Sequence, residues 1–130
     1  MNLECHVASD VLVVRLLDAR VDSGNLAGFR DALDPYLASG LGKVAIDLSQ
    51  VEFIDSSGLG ALIALFKRLP EHGTLAICQA QDRVLKLLKL TRLNKVFTLC
   101  DTVEQGLEQL SRPLADAPAS PSDRATPRPR

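Results

Sequence analysis

Asp55-Ser56-Ser57-Gly58-Leu59-Gly60 is the segment of this chain whose residue types and spacing could do chemistry. It follows the mainly apolar stretch Val51 to Ile54, which reads as the end of a strand. It leads into a helix whose apolar positions recur at Leu62, Ile63, Phe66 and Leu69. Two hydroxyls therefore stand at a helix N-terminus, where backbone N–H groups lack intrahelical partners and the macrodipole is positive. A phosphate on a serine there would be stabilised locally and would change the surface charge abruptly. The plainer role is structural, because Asp, Ser and Gly are the ordinary residues of a strand-to-helix turn and one serine can act as N-cap. Spacing alone leaves both roles open.

Other chemistry lacks its parts. The two histidines, His6 and His72, stand in no catalytic setting, and the serine turn is not a Gly-x-Ser-x-Gly elbow. The chain has no Gly-x-x-x-x-Gly-Lys-[Ser/Thr] run, and Gly58-Leu59-Gly60 is too short for a dinucleotide fingerprint. Asp47 and Asp55 could pair as carboxylates but more simply cap a strand and a loop. Cys5, Cys78 and Cys100 are an odd number without short paired spacing, which argues against a disulfide framework and against a metal site. Cys78 and Cys100 each lie in an apolar strand-like run, where cysteine behaves as a small hydrophobe. The expectation is a protein that is not an enzyme and holds no cofactor.

The elements that must position the serine turn follow from periodicity. Leu3 to Ala8 and Val11 to Leu17 read as strands around a Ser9-Asp10 turn. Asp22-Ser23 offers an N-cap for a helix carrying Leu26, Phe29, Leu33 and Leu37, and Pro35 predicts a kink or restart near Asp34. Val44 to Leu48 is a continuous apolar strand, as in a sheet covered on both faces. After Pro70, Thr74 to Gln79 is the next strand. Asp82 caps a helix with Val84, Leu85 and Leu88 inward and a basic stripe of Arg83, Lys86 and Lys89. Lys95 to Cys100 reads as a last strand, and Asp101 or Thr102 caps a final helix through Leu110. The order ββαβαβαβα predicts an α/β fold with a mixed, mainly parallel sheet of about five strands and about four helices. Periodicity does not decide whether the helices cover one face or both.

With 130 residues, 46% apolar and 24% charged, the chain has the size and balance of one globular domain. Residues 1–111 are read as that domain and 112–130, rich in Pro and Arg, as a disordered tail. A net charge of −1 gives no general attraction to nucleic acid or to an anionic membrane. Met1 to Asp10 lacks the pattern of a secretory signal, and no apolar run approaches the roughly 18 residues of a membrane span. A cytoplasmic location is expected.

The run from Ala45 to Gly60, Ala-Ile-Asp-Leu-Ser-Gln-Val-Glu-Phe-Ile-Asp-Ser-Ser-Gly-Leu-Gly, resembles the signature of STAS domains. It most resembles the anti-sigma factor antagonists of bacterial partner-switching systems, and the likeness spans roughly residues 3 to 111, with Gln81 to Asn94 included. The resemblance implies a sheet packed on one side by helices and a phosphoacceptor at the first serine of the motif, Ser56. Asp55 then matches the acidic residue before it and Ser57 the second hydroxyl. Gly58 matches the residue that lets a partner's nucleotide end approach, and Leu59 and Gly60 complete the motif. Asp22 resembles the acidic residue after the second strand, with Asp18 as its rival.

The implied partners are a GHKL-type anti-sigma serine kinase, bound by the unphosphorylated protein, and a PP2C-type phosphatase. Binding would free the sigma factor or other target that the kinase had sequestered. Arg83, Lys86 and Lys89 are a candidate contact for that kinase, set against the plain reading of a solvated helix face. The alternative from the same resemblance is an accessory subunit of a lipid-transport ABC system. Such subunits tend to lose one hydroxyl of the pair, and Ser56 beside Ser57 argues against it. Pro35 and the basic Pro-rich tail depart from the family pattern.

Overall fold

The computed structural model describes residues 1–111. Its elements are β1 (Leu3–Ala8), β2 (Val11–Leu16), β3 (Arg20–Val21), α1 (Phe29–Ala38), β4 (Lys43–Asp47), β5 (Phe53–Ile54), α2 (Ser56–Arg68), β6 (Thr74–Cys78), α3 (Asp82–Leu90), a 3-10 turn (Leu93–Lys95), β7 (Thr98–Cys100) and α4 (Val103–Leu110). Five strands form one sheet in the order β1-β2-β4-β6-β7, and β3 and β5 form a separate two-stranded ribbon. β1 runs antiparallel to β2, and the other pairs of the large sheet are parallel. This is the mixed, mainly parallel α/β sheet that the alternation of elements predicts. Ser9 and Asp10 join the hairpin with φ of 52° and 67°, the paired positive values of the tight turn whose twist suits flanking strands.

Both faces of the sheet are covered, but by unequal layers. Leu12, Val14, Leu16, Val44, Ile46, Leu48, Leu75 and Ile77 face one way and pack with buried side chains of α1, α2 and α3. Val11, Val13, Ala45, Ala76, Cys78 and Cys100 face the other way and pack with Leu110, Leu107 and Val103 of α4. The second face is built of smaller side chains, so one short helix suffices to cover it and lies close. The one-sided packing implied by the resemblance is therefore corrected to three helices on one face and one on the other.

Several element boundaries also differ from the expectation. Asp22 does not cap α1, which begins behind Gly28 with no side-chain cap. The Asp22 carboxylate is taken by the N–H of Gly24 at 2.9 Å, and its own N–H donates to Asn25 Oδ1 at 3.0 Å. Pro35 lies inside an uninterrupted α1. Asp82 is the first residue of α3, behind Gln81, and not its cap. The stretch from Lys95 is not all strand: the 3-10 turn ends at Lys95, and β7 starts at Thr98. Thr102, not Asp101, caps α4, its hydroxyl accepting from the N–H of Gln105 at 3.0 Å.

Among the described residues no helix is long and apolar enough to cross a membrane. No group of three or more His, Cys, Asp or Glu among them is placed to hold a metal ion. The expected disordered tail, 112–130, lies outside the described residues.

Candidate functional site

The serine turn is aimed by the small β3–β5 ribbon. Arg20 pairs with Phe53 and Val21 with Ile54, in parallel. The N–H groups of Glu52 and Phe53 donate to the Ala19 carbonyl at 2.7 and 3.1 Å, and that of Asp55 donates to the Val21 carbonyl at 3.2 Å. Asp22 and Asp55 are thus the next residues of two strands that end side by side. Asp18 stands at the other end of β3, where its carboxylate accepts from the backbone and side-chain nitrogens of Asn2 at 3.0 and 3.1 Å. Register therefore puts Asp22, and not Asp18, at the serine turn.

Asp55 is the N-cap of α2. Its Oδ1 accepts from the Gly58 N–H at 3.0 Å, and its carbonyl accepts from Leu59 at 3.0 Å. A carboxylate at this position also complements the positive end of the helix. The cap being an aspartate, neither serine is needed for it. Ser56 and Ser57 are the first two helical residues, and both are exposed. Among the described residues, neither hydroxyl and neither backbone N–H of the pair has a hydrogen-bond partner. Two hydroxyls and two unpaired donors thus face solvent on one corner of the domain, beside a capping carboxylate.

The other motif residues divide between surface and interior. Gly58 is buried, and a Cβ there would lie 2.5 Å from Ile54 Cγ1 and 2.8 Å from the Val21 carbonyl oxygen. The need for glycine at 58 is internal, since it lets α2 sit against the ribbon that aims the turn. Leu59, 8% exposed, belongs to the core. Gly60 is exposed, with nothing within 4 Å of a Cβ placed on it. It lies one turn beyond Ser56 on the same helix face and leaves that surface flat.

Residues 2–106 match the STAS domain. The chain belongs to the STAS-domain family. It is similar to a candidate anti-sigma factor antagonist of Thermotoga maritima, 31% identical over 80 residues that make up 61% of this chain and 71% of that one. An anti-sigma-B factor antagonist of Listeria monocytogenes is 28% identical over 80 residues, 61% of this chain and 70% of its own. Among solved structures, an anti-sigma factor antagonist from Mycobacterium paratuberculosis superposes with a TM-score of 0.77 at 25% identity, covering 85% of this chain and 94% of the other.

Within this STAS domain the surroundings of the serine turn include features that sequence reasoning missed. Arg20 stacks its guanidinium 4.4 Å from the centre of the Phe53 ring and lies 3.5 Å from the Asp22 carboxylate. A two-residue strand carries no periodicity, so nothing in the sequence marked Arg20. Between β5 and α3 runs an open groove of about 220 Å³, lined in part by Phe53, Ile54, Leu87 and Leu90. Leu90 is 72% exposed at its edge, and an apolar residue off the inward face of α3 was the available signal. Arg83 and Lys86 of the basic stripe line this groove, whereas Lys89 is exposed outside it.

The cap makes a measurable prediction. Asp55→Ala removes the acceptor for the Gly58 N–H and should cost about 1 kcal/mol of stability. In a domain of about a hundred residues that lowers the melting temperature by roughly 4–8 °C, which calorimetry reads directly. An unchanged melting temperature would show that the cap contributes nothing.

Proposed function

We propose that this STAS domain is an anti-sigma factor antagonist switched by phosphorylation at Ser56. Unphosphorylated, it binds a GHKL-type anti-sigma serine kinase and releases the sigma factor or other target held by that kinase. The kinase transfers the γ-phosphoryl group of ATP to Ser56 Oγ, the hydroxyl proton leaves and ADP departs. A PP2C-type phosphatase hydrolyses the ester and resets the protein. The observation that carries this reading is the unengaged, exposed Ser56 hydroxyl at the first position of α2, with the helix cap already supplied by Asp55. The names of the similar proteins point to the same class of regulator.

The switch is electrostatic and local. A phosphoserine brings close to two negative charges at pH 7 to a corner that already carries Asp55 and Asp22. The bare N–H groups of Ser56 and Ser57 stabilise that phosphate in the free protein. At a close interface the same charge must be desolvated and meets the neighbouring carboxylates, which weakens the complex by several kcal/mol. No rearrangement of the fold is required.

Incubation of the full chain with its GHKL-type kinase and ATP, followed by mapping of the phosphorylated peptide, tests the reading. Phosphate on Ser56 supports it, and a chain left unmodified by a kinase that it binds removes it. Ser56→Asp carries part of the charge and should lower affinity for the kinase at least about tenfold, roughly 1.4 kcal/mol. Equal affinities of Ser56→Asp and the natural protein in a titration would discard the electrostatic account.

A further inference from the structure

Cys78 and Cys100 sit together on the face of the sheet that α4 covers. They are register partners, the last pair between β6 and β7. Neighbouring strands lie about 4.7–4.9 Å apart, inside the roughly 4.4–6.8 Å span of Cα atoms joined by a disulfide. Their sulfurs converge on one point of α4. A Cβ on Gly106 would lie 2.6 Å from Cys78 Sγ and 3.8 Å from Cys100 Sγ. Glycine at 106 is what makes room for the pair. Both thiols are free.

The two thiols are not equivalent. The interaction between the two side chains pushes the Cys78 thiol up and, outweighing the desolvation of Cys100, brings the Cys100 thiol down from its ordinary value. Cys78 is wholly buried and Cys100 is 7% exposed. The sulfur nearer to solvent is thus that of Cys100, with the second thiol beside it. Cys5, on β1, shares none of this, and burial raises its thiol. Among the described residues α4 is the single helix on this face, and it is eight residues long. Its local opening uncovers the pair without disturbing the larger core beneath α1, α2 and α3.

We propose that Cys78 and Cys100 form a two-electron redox site, closed to a disulfide by hydrogen peroxide and reopened by a dithiol reductant. The Cys100 thiolate attacks one peroxide oxygen and breaks the O–O bond, giving a sulfenic acid, and the other oxygen leaves as hydroxide and is protonated to water. The Cys78 sulfur then attacks the Cys100 sulfur. An S–S bond forms, the S–O bond breaks, and the second water leaves with the proton from Cys78. Two thiols are oxidised by two electrons and one peroxide is reduced to two waters. The bond ties β6 to β7 where Gln79 and Asp101 lead on to α3 and α4, a junction already held by Gln79, whose N–H donates to the Cys100 carbonyl at 3.1 Å and whose Oε1 accepts from Val103 at 3.3 Å.

The test treats the folded full chain with hydrogen peroxide, then alkylates the remaining thiols and maps the peptides by mass spectrometry. The site predicts loss of two hydrogen atoms per chain, a peptide pair joined through Cys78 and Cys100, an alkylated Cys5, and full reversal by dithiothreitol. Cys78→Ala should abolish the loss of hydrogen and leave a sulfenic acid on Cys100 that dimedone traps, whereas Cys100→Ala should leave Cys78 unreactive. Peroxide that oxidises Cys5 while Cys78 and Cys100 stay reduced would overturn the proposal. So would a Cys78–Cys100 link that forms only after the chain is unfolded in denaturant. The unsubstituted protein alone decides the matter if either variant fails to fold.

Discussion

Ser56→Ala is expected to fold, to bind the anti-sigma kinase and to take up no phosphate, whereas Ser57→Ala is expected to be phosphorylated as the natural protein is. The two serines are neighbours on the same helical turn, so the contrast separates position from mere exposure. Because Asp55 supplies the cap to Gly58, neither substitution removes a helix-terminal hydrogen bond. Alanine is also the better helix former, and both variants should match the natural protein within about 0.5 kcal/mol. A loss of phosphorylation in Ser56→Ala therefore cannot be charged to a melted helix. Phosphopeptide mapping together with a thermal melt of each variant checks both halves. Phosphate found on Ser57 of the natural protein would reverse the assignment.

Gly58→Ala and Gly60→Ala should have opposite effects on stability, although the two glycines are two residues apart in one helix. In an open helical position the change to alanine gains about 1 kcal/mol. Gly60 is open, with nothing within 4 Å of an added Cβ, and should show that gain. At Gly58 the added methyl group would lie 2.8 Å from the backbone oxygen of Val21 and 2.5 Å from Ile54 Cγ1. Ile54 can adjust its rotamer, but the Val21 carbonyl belongs to the β3–β5 ribbon and cannot rotate away. Overpacking of this kind costs about 1–3 kcal/mol and should exceed the propensity gain. Gly58→Ala should therefore melt at a lower temperature, with α2 pushed off the ribbon and the Asp55–Gly58 cap loosened. A Gly58→Ala protein as stable as Gly60→Ala would mean that α2 does not need this approach.

Much of the frame was legible along the chain because it depends on short-range patterns. The alternation of strands with helices predicted the mainly parallel sheet, and the turn at Ser9-Asp10 predicted the opening hairpin. Positions three and four apart marked the inward side of α2 only in part: Leu62 and the C-cap Leu69 are buried as expected, Ile63 and Phe66 are half-buried, and the buried Leu65 was not marked. The serine turn itself could be read from residue types alone, since Asp, Ser and Gly between an apolar strand and an apolar-faced helix specify a helix start.

What tertiary structure decided is everything that depends on which segments meet. A helical stripe says that a face is buried but not on which side of a sheet, and only packing put α4 opposite α1, α2 and α3. Strands of two residues have no period, so the β3–β5 ribbon appears only when Val21 is seen beside Ile54. That pairing brings Asp22 to the serine turn and makes Gly58 an internal contact. Residue types suggested a serine as the cap, but an aspartate side chain accepts from a helix N–H as well, and the cap is Asp55. The backbone settled it by leaving Asp55 extended and starting α2 at Ser56. Cys78 and Cys100, separated along the chain, became one pair through strand register, a long-range property that no local pattern of residues encodes.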